Sequence, residues 1–252
     1  MQINVKKSLI GLFVAGVLGA MLFPIAIYFI GLAVAPPMPI PARTTVPPLL
    51  ADAIWARADG GDATKLTPVT HISMAKFAGC VALEDFNDKT PGDAQRVANC
   101  RAYMPALMGI EYLSGEHMRD ANLETSFGEG VARFSTLVWI THSWTKADFL
   151  NTVAERGEFG EGLRGAETAS RHYFGRSAAE LTLPQAALLA AFIGDRKTVF
   201  DPWCGPAGAV SMRSRILQKM WDSHSIDEAT FKVANVSQLG LGPLPAGHAP
   251  CR

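Results

Sequence analysis

From Ile10 to Ala35 the chain is almost unbroken apolar sequence, and no charged residue stands between Lys7 and Arg43. A run of this kind exceeds the roughly 20 residues that cross a bilayer as a helix. Pro24 lies inside it, as a membrane helix tolerates. A cleaved secretory leader is the rival reading. Ala33-Val34-Ala35 has the small-residue spacing of a cleavage site, but the apolar region is long for a leader core, and Pro36 follows directly. Next, PPMPIPARTTVPP carries six prolines between Pro36 and Pro48. Fixed φ angles favour an extended, semi-rigid stalk there. The folded body is expected from Leu49.

Beyond the stalk the apolar spacing is helical rather than alternating. Short helices are expected over Leu49–Ala58, ended by Gly60-Gly61, and over Ser73–Leu83. Arg101–Leu113 is apolar and interrupted by Pro105. Core helix and membrane-dipping surface are both open readings for it. Ser114–Gly130 reads as loop and Val131–Trp144 as a core helix, with His142 a buried, satisfied histidine. Thr145 caps a helix over Lys146–Arg156, with Asp148 in its first turn. Gly157, Gly160, Gly162 and Gly165 mark a loop. Helix resumes over Ala166–Tyr173 and stops at Gly175. Ser177 with Glu180, and Thr182 with Gln185, have capping-box spacing, with Pro184 in a first turn. Ala186–Ile193 (AALLAAFI) is apolar on all sides, so it predicts a helix buried all round. Helices over Pro206–Trp221 and Ile226–Ala234 complete a mainly α body.

Charge and cysteines narrow the setting. Basic and acidic residues balance at 23 each, which argues against a nucleic-acid surface. Lys6 and Lys7 precede the apolar run. By the positive-inside rule they place the N-terminus in the cytoplasm and the body outside, on a single-pass inner-membrane protein. The domain plan is residues 1–35 tip and anchor, 36–48 stalk, 49–252 periplasmic body. Cys80, Cys100, Cys204 and Cys251 suit an oxidising compartment. Local pairing, Cys80 with Cys100 and Cys204 with Cys251, is favoured among three connectivities. No metal-ligand spacing supports zinc.

Several of these segments together resemble the family 51 glycosyltransferases, the peptidoglycan transglycosylase domain of class A penicillin-binding proteins and monofunctional transglycosylases. The residues that carry the resemblance are Thr145-Lys146, Phe149-Leu150, Phe159-Gly160, Gly165-Ala166-Glu167, Tyr173-Phe174-Gly175-Arg176, Leu181-Thr182-Leu183 and Ala187–Ala190. It continues through Asp201-Pro202, Pro206, Ala209, Met212-Arg213, Ile216-Leu217 and Met220. The resemblance implies a lysozyme-like, mainly α transglycosylase domain with an N-terminal transmembrane helix. It implies lipid II or glycan strands as ligands, the cytoplasmic membrane as setting and a cell-wall protein complex as company.

Phe77–Asp85 (FAGCVALED) matches the family's first catalytic motif. The resemblance makes Glu84, beside Asp85, the general base that takes a proton from the acceptor hydroxyl as it attacks the donor's anomeric carbon. The lipid pyrophosphate leaving group calls for cationic side chains or a divalent ion such as Mg. Arg96, Arg101, Arg119, Arg133 and Lys146 are the candidates. The family's Gly-Ser-Thr-Gln-Gln run is missing between Asp93 and Phe134. Family spacing back from Lys146 places its second catalytic Glu at Arg133. Glu129, one helical turn earlier, is the stand-in if helix reaches that far. Two functions follow: glycan-strand synthesis, or a degenerate member that binds or regulates in a cell-wall complex. A lysozyme-like cleaving enzyme is a third and weaker reading.

Overall fold

The computed structural model describes residue 19, residues 22–70, residue 105, and residues 126–160, 162–194, 201–245 and 251. Within them the chain is helical: α1 (residues 22–34), α2 (Pro48–Arg57), α3 (Ser126–Ser143), α4 (Lys146–Arg156), α5 (Ala166–Phe174), a 3-10 turn (Ala178–Glu180), α6 (Leu183–Ala191), α7 (Pro206–Asp222) and α8 (Glu228–Val236). No strand forms among the described residues. Two isolated bridges, Glu158 with Arg164 and Phe159 with Ile193, close the glycine-rich turn. The segments Ser73–Leu83 and Arg101–Leu113, apart from Pro105, lie outside the described residues, as do Cys80 and Cys100.

The core is organised around α6. Every residue from Pro184 to Ala191 is buried, and α2, α5, α7 and α8 pack against it. Alanine at four of these positions lets neighbouring backbones approach on all sides, which explains how a short helix can be central. The expected capping device is present. The Thr182 amide and hydroxyl both donate to Gln185 Oε1, each at 3.1 Å, and the Gln185 amide donates to the Gly240 carbonyl at 2.8 Å. One residue therefore caps α6 and fixes the segment that follows α8. Cys204 and Cys251 form a disulfide, which holds the end of that tail to the start of α7.

Helix ends follow local chemistry. Thr145 and Asp148 form a capping box at α4. Gly175 closes α5 in the left-handed conformation, φ 66°. Ser177 and Glu180 form the second expected box, but on a single 3-10 turn. Asp227 caps α8 through the Thr230 amide. Arg213 is buried, and its two terminal nitrogens donate to the Asn235 and Ser237 carbonyls at the end of α8.

Three expectations are corrected. The loop assigned to Ser114–Gly130 ends early, because α3 starts at Ser126. His142 is exposed, with Nε2 3.3 Å from the Val69 carbonyl, so it is no core histidine. The proline-rich segment is extended, but it does not stand away from the body. Ala42 donates its amide to Thr152 Oγ1 at 2.9 Å, and Val46 donates to Asn151 Oδ1 at 3.0 Å. Thr44 donates its hydroxyl to Glu155, and Arg156 donates to the Ile40 carbonyl at 3.0 Å. Residues 40–46 thus lie along α4 as a strap. Proline lacks a backbone donor, and the amide donors Ala42 and Val46 are the first and last of the five non-proline residues between Pro41 and Pro47.

Among the described residues no helix is long and apolar enough to cross a membrane. Residues 22–34 pack on α3 through one stripe. A Cβ on Gly31 would lie 1.9 Å from Ser135 Oγ and 2.4 Å from the Val131 carbonyl oxygen. Ser135 Oγ donates to the Tyr28 carbonyl at 2.9 Å. The opposite stripe, with Leu22, Phe23, Phe29 and Ile30, is exposed.

Candidate functional site

The first turns of α3 carry an acid and a base on one face. Arg133 pairs with Glu129 across one helical turn, and each side chain is 40% exposed. The helix reaches far enough back to give Glu129 a fixed position, which the sequence left conditional. The Arg133 Nε is buried and has no hydrogen-bond partner among the described residues. This guanidinium therefore holds Glu129 with one arm and keeps donor capacity on another.

Lys146 lies elsewhere. Its ammonium sits 4.2 Å from the Trp55 ring centroid and donates to the Ala63 carbonyl at 3.3 Å. Partial burial holds the ammonium below its ordinary range, against the pull of Asp52. Desolvation likewise raises the Asp52 carboxyl above its usual value, with Lys146 opposing. Trp55 is itself fixed by donating to the Gly61 carbonyl at 3.0 Å and by an edge contact with Phe149. Lys146 follows the C-terminal end of α3 and Glu129 is near its start. About 21 Å of helix axis lies between Glu129 and Ser143, the last residue of α3. The structure therefore brings Glu129 and Arg133 together, and it places Lys146 in a contact between α2 and α4. Glu84, Asp85, Arg96, Arg101 and Arg119 lie outside the described residues.

A divalent cation needs several oxygen ligands. Around Glu129 the described residues gather no such set, and Arg133 occupies its carboxylate. Asp201 with Cys204 and Cys251 is the acidic and sulfur cluster that does form. Both sulfurs there are in the disulfide. Asp201 Oδ1 accepts from the Trp203 and Cys204 amides, at 2.9 and 3.2 Å, as a turn residue does. Neither place fits Mg.

Sequence reading missed the positioning role of Glu167. Its Oε2 accepts from the Ala178 amide at 2.9 Å and from Ser177 Oγ at 3.2 Å. It joins the start of α5 to the turn after it. The local signal was an acid in a first turn, which says nothing about a partner eleven residues on.

A mainly helical body built on one fully enclosed helix is the kind of scaffold expected of lysozyme-like transglycosylases. Residues 122–221 match the family model described as Transglycosylase, and the chain belongs to that family, glycosyltransferase family 51. A biosynthetic peptidoglycan transglycosylase of Shewanella oneidensis is 39% identical over 99 residues, 38% of this chain and 39% of that protein. One from Rhodospirillum centenum is 33% identical over 154 residues, 58% of this chain and 66% of that protein. Penicillin-binding protein 1B of Escherichia coli is 32% identical over 81 residues, 32% of this chain and 10% of that protein. The matched part thus spans well under half the length of the Shewanella relative.

Proposed function

We propose that this protein is a membrane-anchored peptidoglycan glycosyltransferase that acts on lipid II in glycan-strand synthesis. The observation that carries this reading is the match of residues 122–221 to the transglycosylase family, on a scaffold whose central helix and caps are intact. In this reading residues 1–35 are the tip and single-pass anchor, with the N-terminus in the cytoplasm. The body from residue 49 works in the periplasm, and residues 36–48 join the two. Glu84 is the general base for the acceptor hydroxyl, with Asp85 beside it. Glu129 supplies the second carboxylate, and Arg133 holds it in place. Arg96, Arg101 and Arg119, with the half-exposed guanidinium of Arg133, offset the pyrophosphate charge.

A second reading rests on a specific observation. The position where the family places its second Glu is Arg133, and that arginine neutralises the nearest acid. A member in which chemistry has lapsed would keep the scaffold and bind lipid-linked glycan within a cell-wall complex.

Polymerisation of lipid II by the purified full chain in detergent separates them. Polymer from the wild type and none from Glu84→Gln is the result expected. Lipid II bound by both proteins with no polymer from either would overturn the enzymatic reading in favour of the binding one.

A further inference from the structure

Just before α7, two sulfurs and a carboxylate meet. Sγ of Cys204, Sγ of Cys251 and a carboxylate oxygen of Asp201 all lie within 4.8 Å of one another. Asp201 and Cys204 are half-buried and Cys251 is exposed, so solvent reaches the group. The two sulfurs are bonded, with Cα atoms 5.2 Å apart and a sequence separation of 47.

The turn that carries Asp201 and Cys204 is held by bonds other than the disulfide. Asp201 Oδ1 accepts from the Trp203 and Cys204 amides at 2.9 and 3.2 Å. The Asp201 carbonyl accepts from the Gly205 amide at 2.8 Å. These bonds keep the carboxylate beside Cys204 whether or not the sulfurs are joined. The chain upstream of Cys251 is tied to the same place. Gly242 donates its amide to the Tyr173 carbonyl at 2.8 Å and accepts from Trp203 Nε1 at 3.1 Å. Opening the S–S bond therefore leaves two thiols and a carboxylate as neighbours.

Thiolates select borderline and soft ions, whereas Mg prefers an all-oxygen set. Zinc binds sulfur at about 2.3 Å and carboxylate oxygen at about 2.0–2.2 Å, so tetrahedral ligand atoms stand about 3.5–3.8 Å apart. Side-chain rotation supplies the shifts of about 1–2 Å that this group needs to reach that spacing. Three protein ligands leave the fourth position to water.

We propose that the reduced protein binds one zinc ion through Cys204, Cys251 and Asp201, so that a metal clasp takes the place of the disulfide. Reduction breaks the S–S bond and adds two electrons and two protons, supplied by a dithiol that is itself oxidised to a disulfide. Zinc then binds both sulfurs as thiolates, and the two thiol protons pass to solvent. Residue 251 is thereby fastened to the turn before α7 in both redox states. Because the ion binds only the dithiol, zinc also draws the pair towards reduction. The cysteines are too far apart in sequence for any local ligand spacing to announce the site.

The test uses the full chain in detergent, with cobalt(II) as a coloured substitute for zinc. Oxidised protein should show no thiolate-to-cobalt charge-transfer band. A phosphine then opens the disulfide, with water giving oxygen to the phosphine oxide and protons to the thiols. One equivalent of cobalt should now bind, with that band and the intense d–d absorption of a four-coordinate ion, and zinc should displace it. Cys251→Ser, which keeps Cys80 and Cys100, should lose this equivalent. Asp201→Asn should weaken zinc binding by about tenfold or more in competition with a chelator. A further readout needs no variant. In reduced wild type, chymotryptic cleavage after Leu241 should be fast with chelator and slow with zinc. Uptake by Cys251→Ser equal to wild type, or unchanged affinity in Asp201→Asn, overturns the proposal. Equal cleavage with zinc and with chelator overturns it too.

Discussion

Arg133 donates to Glu129 from one turn further along α3, so the guanidinium fixes where that carboxylate lies on the helix face. Both side chains are 40% exposed, and such i,i+4 pairs contribute only about 0.3–0.5 kcal/mol to stability. Glu129→Gln should therefore leave the unfolding free energy within about 0.5 kcal/mol of wild type. If Glu129 works as the second carboxylate, the same change should lower polymer formation from lipid II about a hundredfold, the lower range for a lost acid or base. Undiminished polymer from Glu129→Gln would remove this residue from the reaction.

Residues 40–46 hold the body through side chains of α4, and the most buried of these contacts is the Ala42 amide on Thr152 Oγ1. Thr152→Val keeps shape but strands that amide. An unsatisfied buried donor costs about 1–3 kcal/mol. Because the strap rather than the core carries the loss, local opening should exceed global destabilisation. Arg43 is exposed beside Ala42. Tryptic cleavage after Arg43 should be markedly faster in Thr152→Val, with a small shift in the thermal midpoint. Equal cleavage rates would mean that the strap is held by other contacts.

What the sequence made legible was local. The caps at Thr145, Ser177 and Thr182, the stop at Gly175 and the enclosure of Ala186–Ile193 each depend on a few neighbouring residues, and each is present. The pairing of Cys204 with Cys251 agreed with the favoured connectivity. Long-range relations were not legible. Nothing near Arg213 announces that it is buried to bind carbonyls at the end of α8. A run of prolines reads as a stalk because its partners, Asn151 and Thr152, are over a hundred residues away. The start of α3 was hidden by Gly128 and Gly130, which depress helix propensity in the stretch that holds Glu129. Candidate site residues were therefore placed by family spacing, and the scaffold by physics.

Glu167 offers a stability test with a defined sign. The Ala178 amide, then Ser177 and Arg171, stabilise its charged form and hold its carboxyl below the usual carboxylate range. A group with a depressed folded value adds stability above its unfolded value, near 4.5. That stability is lost as pH falls through the lower folded value. Glu167→Ala should cost about 1 kcal/mol at neutral pH, the scale of a lost cap at a largely exposed site. In acid unfolding followed by circular dichroism, the gap between wild type and variant should close below the ordinary carboxylate range. A gap of constant size across that range would assign the effect to packing rather than to charge.

The contact of α1 with α3 is set by the absence of a side chain at Gly31. A Cβ there would fall 1.9 Å from Ser135 Oγ and 2.4 Å from the Val131 carbonyl oxygen. The hydroxyl can be removed, but the carbonyl belongs to the helix backbone. Gly31→Ala must therefore push the helices apart, at about 1–3 kcal/mol, the usual cost of overpacking. The Ser135–Tyr28 hydrogen bond should break in the same step. Adding Ser135→Ala relieves one of the three clashes, since the Val131 carbonyl and the Cβ at position 135 remain, so the double variant should recover part of the loss and not all of it. Ala33, on the exposed stripe of α1, is the control position, and Ala33→Leu should be neutral. Thermal unfolding of the four proteins in one detergent decides the matter. Equal midpoints for Gly31→Ala and Ala33→Leu would show that α1 does not bear on α3 in solution.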